Sequence, residues 1–162
     1  MSVKKSWAQW CRRFLGLSPN GHRKAVELLR QRYIEESLHL SRFTQQAQKM
    51  RYPQYRDRLL RIASDEAKHV EWIAEKIRLL GGKLPQAPKI STDEKNSWQY
   101  LLADLDEEKH CADELLEQIQ NIQSELPGVA EVLERIHKDG EKHREEIREM
   151  LMRSDPQALW AA

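Results

Sequence analysis

Four long stretches of helical periodicity dominate this chain of 162 residues. They are separated by breakers at Pro19, Pro53, Gly81-Gly82 and Pro127. Within each stretch apolar residues recur every three or four positions, as on one face of an α-helix, and not every second position as in a strand. Helices of this size are about 40 Å long. The sequence therefore predicts an all-α fold, a bundle of four amphipathic helices.

The connections between these stretches predict how the helices are joined. The first two helices, and the last two, are separated by short turns, so each pair should form an antiparallel hairpin. Residues 81–92 contain two prolines and no periodicity, which indicates a long crossover between the hairpins. A capping box at 91–94 predicts that the third helix begins there. We expect the bundle to occupy residues 18–154, between an N-terminal segment at 1–17 and a tail at 155–162.

Composition excludes several classes of protein. Lys plus Arg number 27 and Asp plus Glu 26, and this balance argues against a nucleic-acid-binding protein. A run of about 18 apolar residues, as a membrane-spanning helix needs, does not occur. Cys11 and Cys111 form no CxxC motif, so a reducing, cytoplasmic location is expected, and the basic N-terminus is interpreted as retained.

Polar residues interrupt all four apolar stripes near the middle of each helix. Buried carboxylates cost several kcal/mol each unless they are compensated. We expected no Lys or Arg on the stripes at this level. Carboxylate and imidazole ligands suit iron or manganese, so a metal pair is favoured over hydrogen-bonded core residues. The candidate ligands are Glu36, Glu66, His69, Glu108 and His143.

Other residues near these positions are interpreted as structural. His39, His110 and His137 also follow a Glu by three positions, a spacing that charged helices produce by chance, and we place them on the surface. Cys111 is interpreted as a small core residue. Tyr33 lies one turn from Glu36, where it would pack in the core or supply an electron or a hydrogen bond.

The pattern resembles the ferritin-like superfamily, and the bundles of bacterioferritin and rubrerythrin in particular. The resemblance covers about residues 20–153 and is strongest at 61–85, which includes Asp65-Glu66-Ala67-Lys68-His69. That family carries a Glu on helices one and three and a DExxH motif on helices two and four. It implies a dinuclear iron site, with two ions expected and one as the alternative; manganese and zinc are alternative metals.

The fourth helix departs from the family pattern. IASDEAKH (62–69) aligns without gaps to IHKDGEKH (136–143), so Gly140 stands where the family has a ligand Glu. The resemblance implies that Asp65 orients His143 and that Asp139 orients His69. Asp139, water or a substrate carboxylate would then fill the gap.

The resemblance implies a ferroxidase or a peroxide-reducing protein that reacts with dioxygen or peroxide. Whether the chain is an enzyme stays open at this point. The alternative is a non-catalytic bundle with a degenerate metal site that acts as a scaffold. A third, weaker option is hydroxylation of an organic substrate in a pocket opened by Gly140.

The N-terminal segment and the C-terminal tail suggest how copies of the chain associate. Trp7, Trp10 and Phe14 share one face of an amphipathic N-terminal helix with basic residues beside it. That face would pack on the bundle or on a symmetry mate, or else bind a membrane surface or a partner protein. The tail is too short for a fifth helix, so a homodimer is expected ahead of a 24-subunit cage.

Overall fold

The computed structural model describes residues 19–87, 89–90 and 95–156. Four helices account for most of this part of the chain: α1 (Pro19–Lys49), α2 (Pro53–Leu79), α3 (Ser97–Ile122) and α4 (Pro127–Met152). The prediction of an all-α, four-helix bundle is confirmed. The predicted N-terminal segment and most of the C-terminal tail lie outside the described residues, so the domain boundaries remain predictions.

Helix ends follow the local sequence. Prolines open α2 and α4, because the first turn of a helix needs no donor from its first residue. Gly81, with φ of 72°, ends the turn after α2. The third helix begins later than predicted: Asn96 caps it, accepting a hydrogen bond from the Gln99 backbone while the Gln99 side chain accepts from Asn96. The capping box expected at 91–94 lies outside the described residues.

Contacts between helix ends establish the crossover. The His22 ring contacts the Leu80 carbonyl at 2.7 Å, so α2 ends beside the start of α1. The Arg51 amide donates to Ser97 Oγ at 3.1 Å, so α3 begins at the opposite end of the bundle. Leu80 and Ser97 therefore lie at opposite ends of the bundle, and α2 and α3 point the same way. This confirms the two hairpins and the long crossover.

The core consists of two apolar clusters, one towards each end of the bundle. One contains Leu29, Ile73, Ile77, Leu115 and Leu133, with neighbours from all four helices. The other contains Phe43, Leu59, Leu101, Ile147 and Met150 and likewise draws on all four helices. The residues between the clusters are largely polar. Each cluster therefore excludes water from one side of a polar layer at the middle of the bundle.

Side-chain pairs that include a charged partner bridge α1 and α3 at three heights. Arg32 pairs with Glu114 at 2.6 Å, His39 lies 3.8 Å from Glu107, and Gln46 donates to Asp104 at 2.9 Å. The α1 members are seven residues apart, so they lie on one face of that helix. In the described part of the chain, no helix is long and apolar enough to cross a membrane.

Candidate metal centre

The five predicted ligands meet in the polar layer. All four helices contribute, and each residue sits near the middle of its helix, where the periodicity placed it. Each side chain is almost completely buried: Glu36 is 1% exposed, Glu66 2%, His69 1%, Glu108 5% and His143 3%.

His69 forms the best-connected part of the layer. Its Nδ1 lies 3.2 Å from Glu36 Oε2 and 3.3 Å from Glu66 Oε2. Its Nε2 lies 3.4 Å from Asp139 Oδ2. One ring nitrogen thus faces two buried carboxylates from α1 and α2, while the other is held by a carboxylate of α4. This is how an imidazole is oriented as a metal ligand in proteins.

His143 has a parallel arrangement. Its Nδ1 lies 3.1 Å from Glu66 Oε1, and its Nε2 lies 3.6 Å from Asp65 Oδ2. These are ion-pair distances, but neither ring nitrogen has a partner with hydrogen-bond geometry among the described residues. The pairs Asp65–His143 and Asp139–His69 are the ones that the resemblance implied.

Burial and close contact shift the pKa values of this layer in the metal-free protein. Burial and the charge of Glu66 raise the pKa of Glu36 to about 7. Burial alone would lower the pKa of His69, but hydrogen bonds with Glu36 and Glu66 raise it to about 10. Burial would raise the pKa of Glu66, yet close contacts with the His143 and His69 rings hold it well below its usual range. The contacts with the buried carboxylates thus favour the protonated form of His69.

The residues fit a metal ion. Glu36 Oε1 is buried without a hydrogen-bond partner in the described part of the chain, as are both nitrogens of His143. Glu36, Glu66 and His69 offer ligand atoms that lie within 4.8 Å of one another. The cavity between these side chains has a volume of about 10 Å³, room for about one water-sized sphere. Such a space accepts an ion, but it is too small for an organic substrate.

Gly140 lines this cavity from α4. A Cβ atom at this position would lie 3.5 Å from Glu108 Oε2 and 3.5 Å from Arg144 Nη1, ordinary contact distances. Gly140 therefore leaves space beside Glu108, next to the Arg144 guanidinium. Asp139, considered above as a substitute ligand, contacts His69 and Lys142 instead.

One sequence interpretation was wrong. His39 is 5% exposed, not a surface residue, and it lines the same cavity. It belongs to two sets of three mutually close ligand atoms, one with Glu66 and Glu108 and the other with Glu36 and Cys111. His137 is half-buried and lines the cavity too, whereas His110 is exposed as expected.

A buried cation that the predicted stripe on α1 did not include lies one turn from the polar layer. Arg32, one turn from Glu36, has an exposure of 0%. Its guanidinium pairs with Glu35 at 2.8 Å and Glu114 at 2.6 Å, and donates to Cys111 Sγ at 3.3 Å. Its charge is thus directed to carboxylates outside the five predicted ligands. Cys111 is half-buried and packs against the apolar cluster.

Tyr33 packs against the same apolar cluster and does not line the cavity. An aromatic residue that does approach the centre is Trp72, whose ring centroid lies 5.5 Å from that of His69. Arg135 covers the Trp72 ring at 4.0 Å. This contact could not be predicted from the sequence, because a Trp on a helix flank has many possible partners.

Comparisons with known proteins identify the family of the domain and show the same fold in solved structures. The family model for the ferritin-like domain matches residues 43–154. A dodecameric thioferritin, the bacterioferritin-related protein of Bacteroides fragilis, superposes with a TM-score of 0.74 at 17% identity, over 84% of this chain and 87% of that one. Mycobacterium tuberculosis bacterioferritin BfrA gives 0.68 at 21% identity, over 80% and 84%. None of the curated protein sequences matches the chain.

Proposed function

The chain belongs to the ferritin-like domain family, and on that premise we propose that it is a metal-dependent redox protein with an iron centre in the polar layer. A single observation carries the proposal. Five carboxylate and imidazole side chains from four helices are buried around one small cavity, and three of their polar atoms lack hydrogen-bond partners in the described residues.

The residues have distinct roles in this proposal. Glu36, Glu66 and His69 would hold one ion, and Glu108 and His143 would contribute to a second, with Glu66 shared between them. Asp139 and Asp65 hold the two imidazoles so that each presents Nδ1 to the carboxylates. The apolar clusters on both sides exclude bulk water, which strengthens every charge interaction within the layer.

Bound iron would supply one-electron redox chemistry. Two ferrous ions held by these residues would supply the two electrons that, with two protons, convert one hydrogen peroxide to two waters. Dioxygen as oxidant would take up the same two electrons and two protons to give hydrogen peroxide. Ferroxidation by dioxygen and reduction of peroxide would therefore both transfer two electrons from the centre to the oxidant. We place this activity in the cytoplasm, where ferrous iron is available, and in a homodimer or larger homo-oligomer.

The test is ferrous loading without oxygen, followed by elemental analysis and then by addition of peroxide or dioxygen. We expect one to two irons per chain and growth of ferric absorbance after the oxidant is added. Glu66→Ala combined with His69→Ala should abolish both signals, because the pair supplies the shared carboxylate and an imidazole.

The matched control is Glu134→Ala combined with His137→Ala. This pair has the same ExxH spacing on α4, but neither residue belongs to a set of three close ligand atoms. It should retain the metal. Wild-type protein that binds no iron under these conditions would refute the proposal, and equal loss in both double variants would mean that the metal is not held by the polar layer.

A further inference from the structure

The second metal position lacks the carboxylate that α4 should supply. Gly140 leaves space beside Glu108, and Arg144 is the charged group that adjoins that space. His143 is close to Glu66, but it does not belong to any of the sets of three mutually close ligand atoms found in the described residues. The family ligand set is thus incomplete on the α4 side.

A further imidazole is available from α1. His39 follows Glu36 by three residues, which places both on one face of α1. Its ligand atom lies within 4.8 Å of those of Glu66 and Glu108, and these two also lie within that distance of each other. One imidazole and two carboxylates from three helices thus converge on one point.

Glu66 and Glu108 are already candidate ligands of the second ion. His39 therefore adds a nitrogen donor to these two carboxylates. A second observation points to a ligand here. Glu36 Oε1 has no hydrogen-bond partner among the described residues, although Glu36 is 1% exposed, and Glu36 forms another close set with His39 and Cys111.

We propose that His39 is a ligand of the second metal ion, together with Glu66 and Glu108, and that it restores the donor count lost at Gly140. The inference rests on the proposed function, because it assumes that the polar layer binds metal. It shifts the second ion from α4 towards the interface of α1 and α3.

His39 also has a carboxylate partner that can hold its ring. Glu107 Oε1 lies 3.8 Å from His39 Nε2, and Glu107 is 47% exposed at its side chain. This contact between α1 and α3 resembles the carboxylate–imidazole contact that Asp139 of α4 makes with His69 of α2. A purely structural His39 would use the same contact, so the test must measure metal binding separately from stability.

The experiment is a titration of the full-length, metal-free protein with Co²⁺, a redox-stable probe of the ferrous site, by calorimetry and visible absorption. We expect two Co²⁺ per wild-type chain and one per His39→Ala chain, with loss of part of the d–d absorption. The matched control is His137→Ala, which removes an imidazole from the same cavity but from none of the close ligand sets. It should still bind two.

A second variant protects the test against a folding defect. In His39→Ala combined with Gly140→Glu, the new carboxylate returns to the position where the family has one, and we expect the second Co²⁺ to return. Circular dichroism of each metal-free variant reports its folding. If the double variant folds but still binds only one Co²⁺, His39 does not replace the donor lost at Gly140, and the assignment is overturned.

The outcomes separate the two proposals. Wild-type protein that binds no Co²⁺ and no Fe²⁺ refutes the proposed function, and the His39 assignment with it. Two ions in both wild type and His39→Ala, with affinities within threefold, overturn the His39 assignment and leave the function intact. If wild type binds one ion, a loss of affinity of at least tenfold in His39→Ala supports the assignment, and a smaller loss overturns it.

Discussion

Asp139 on α4 and His69 on α2 are joined across the bundle, with Asp139 Oδ2 3.4 Å from His69 Nε2. Their counterparts, Asp65 on α2 and His143 on α4, are 3.6 Å apart. Each DExxH-type segment thus contributes the carboxylate that orients the histidine of the other. The reciprocal contact is present although α4 has Gly140 at the position where the aligned segment of α2 has Glu66.

Asp139→Asn should weaken metal binding. The carboxylate holds the ring of His69 through Nε2 and increases the basicity of the opposite nitrogen, and loss of such a partner typically costs 10–100-fold in metal affinity. Calorimetric titration with Co²⁺ measures the change. Asp106→Asn is the matched control, because Asp106 lies on the exposed side of α3 and pairs with Lys109. Equal affinities for Asp139→Asn and wild type would show that the contact does not support the ligand.

Gly140→Ala should stabilise the metal-free protein. Gly costs about 0.5–1 kcal/mol against Ala within a helix. The added Cβ would meet Glu108 Oε2 and Arg144 Nη1 only at 3.5 Å. We expect thermal unfolding to shift upwards by about 1–4 °C. No gain would mean that the position needs Gly for a contact that the described residues do not show.

Gly82→Ala provides the opposite case. A Cβ there would lie 2.9 Å from Val26 Cγ1, 3.0 Å from Ile77 Cγ2 and 3.2 Å from the Ile77 carbonyl oxygen. Crowding of this kind costs about 1–3 kcal/mol. The same thermal measurement should therefore show a loss of stability, in contrast to the gain at Gly140.

Sequence periodicity predicted the helices and the burial of the five candidate ligands because apolar residues lie on both sides of them along the same helix faces. It failed on α1 because the stripe was drawn through the apolar residues Tyr33 and Leu40, which are only half-buried. The buried face passes instead through Arg32 and His39. A seven-residue series from Ala25 through Arg32, His39 and Gln46 marks this face, but hydrophobicity does not identify it, since three of its four members are polar.

Tertiary pairing explains why these polar residues can be buried. Arg32, His39 and Gln46 each contact a carboxylate on α3, which a sequence alone does not reveal because the partners are 58 to 82 residues away.

The sequence also predicted too early a start for α3. Two potential capping boxes lie five residues apart, and the structure uses the one at Asn96.

Asp104→Asn should stabilise the protein at neutral and alkaline pH. Burial, and to a lesser extent the charge of Glu108, raise the pKa of Asp104 to about 7, against the opposing effects of the Gln46 hydrogen bond and the Arg42 and His39 charges. Its Oδ2 has no hydrogen-bond partner among the described residues. The folded state therefore binds the proton more tightly than the unfolded chain, whose aspartates titrate near pH 4.

The sign of this pH dependence follows from that difference. Between about pH 4 and pH 7 the wild type loses stability as pH rises, because folding requires a proton that the unfolded state has released. The advantage of Asp104→Asn should be near zero at pH 4 and reach roughly 1–4 kcal/mol above pH 7. Urea unfolding at several pH values measures it. Asp113→Asn, on the exposed side of α3, is the control, and a constant difference across this range would contradict the assigned pKa shift.

Deleting residues 1–17 should change assembly and leave the bundle intact. Residues of the described helices α1 to α4 supply an apolar cluster on each side of the polar layer. The sequence predicts that Trp7, Trp10 and Phe14 share one apolar face, and a face of this kind is typical of an interface. We expect unchanged helicity by circular dichroism, unchanged metal content, and a smaller particle by light scattering. Full-length protein with these three aromatic residues changed to Ser should behave like the deletion. Unfolding or metal loss in the truncated protein would assign the segment to the core, and an unchanged particle size, with unchanged binding to anionic vesicles, would contradict the interface.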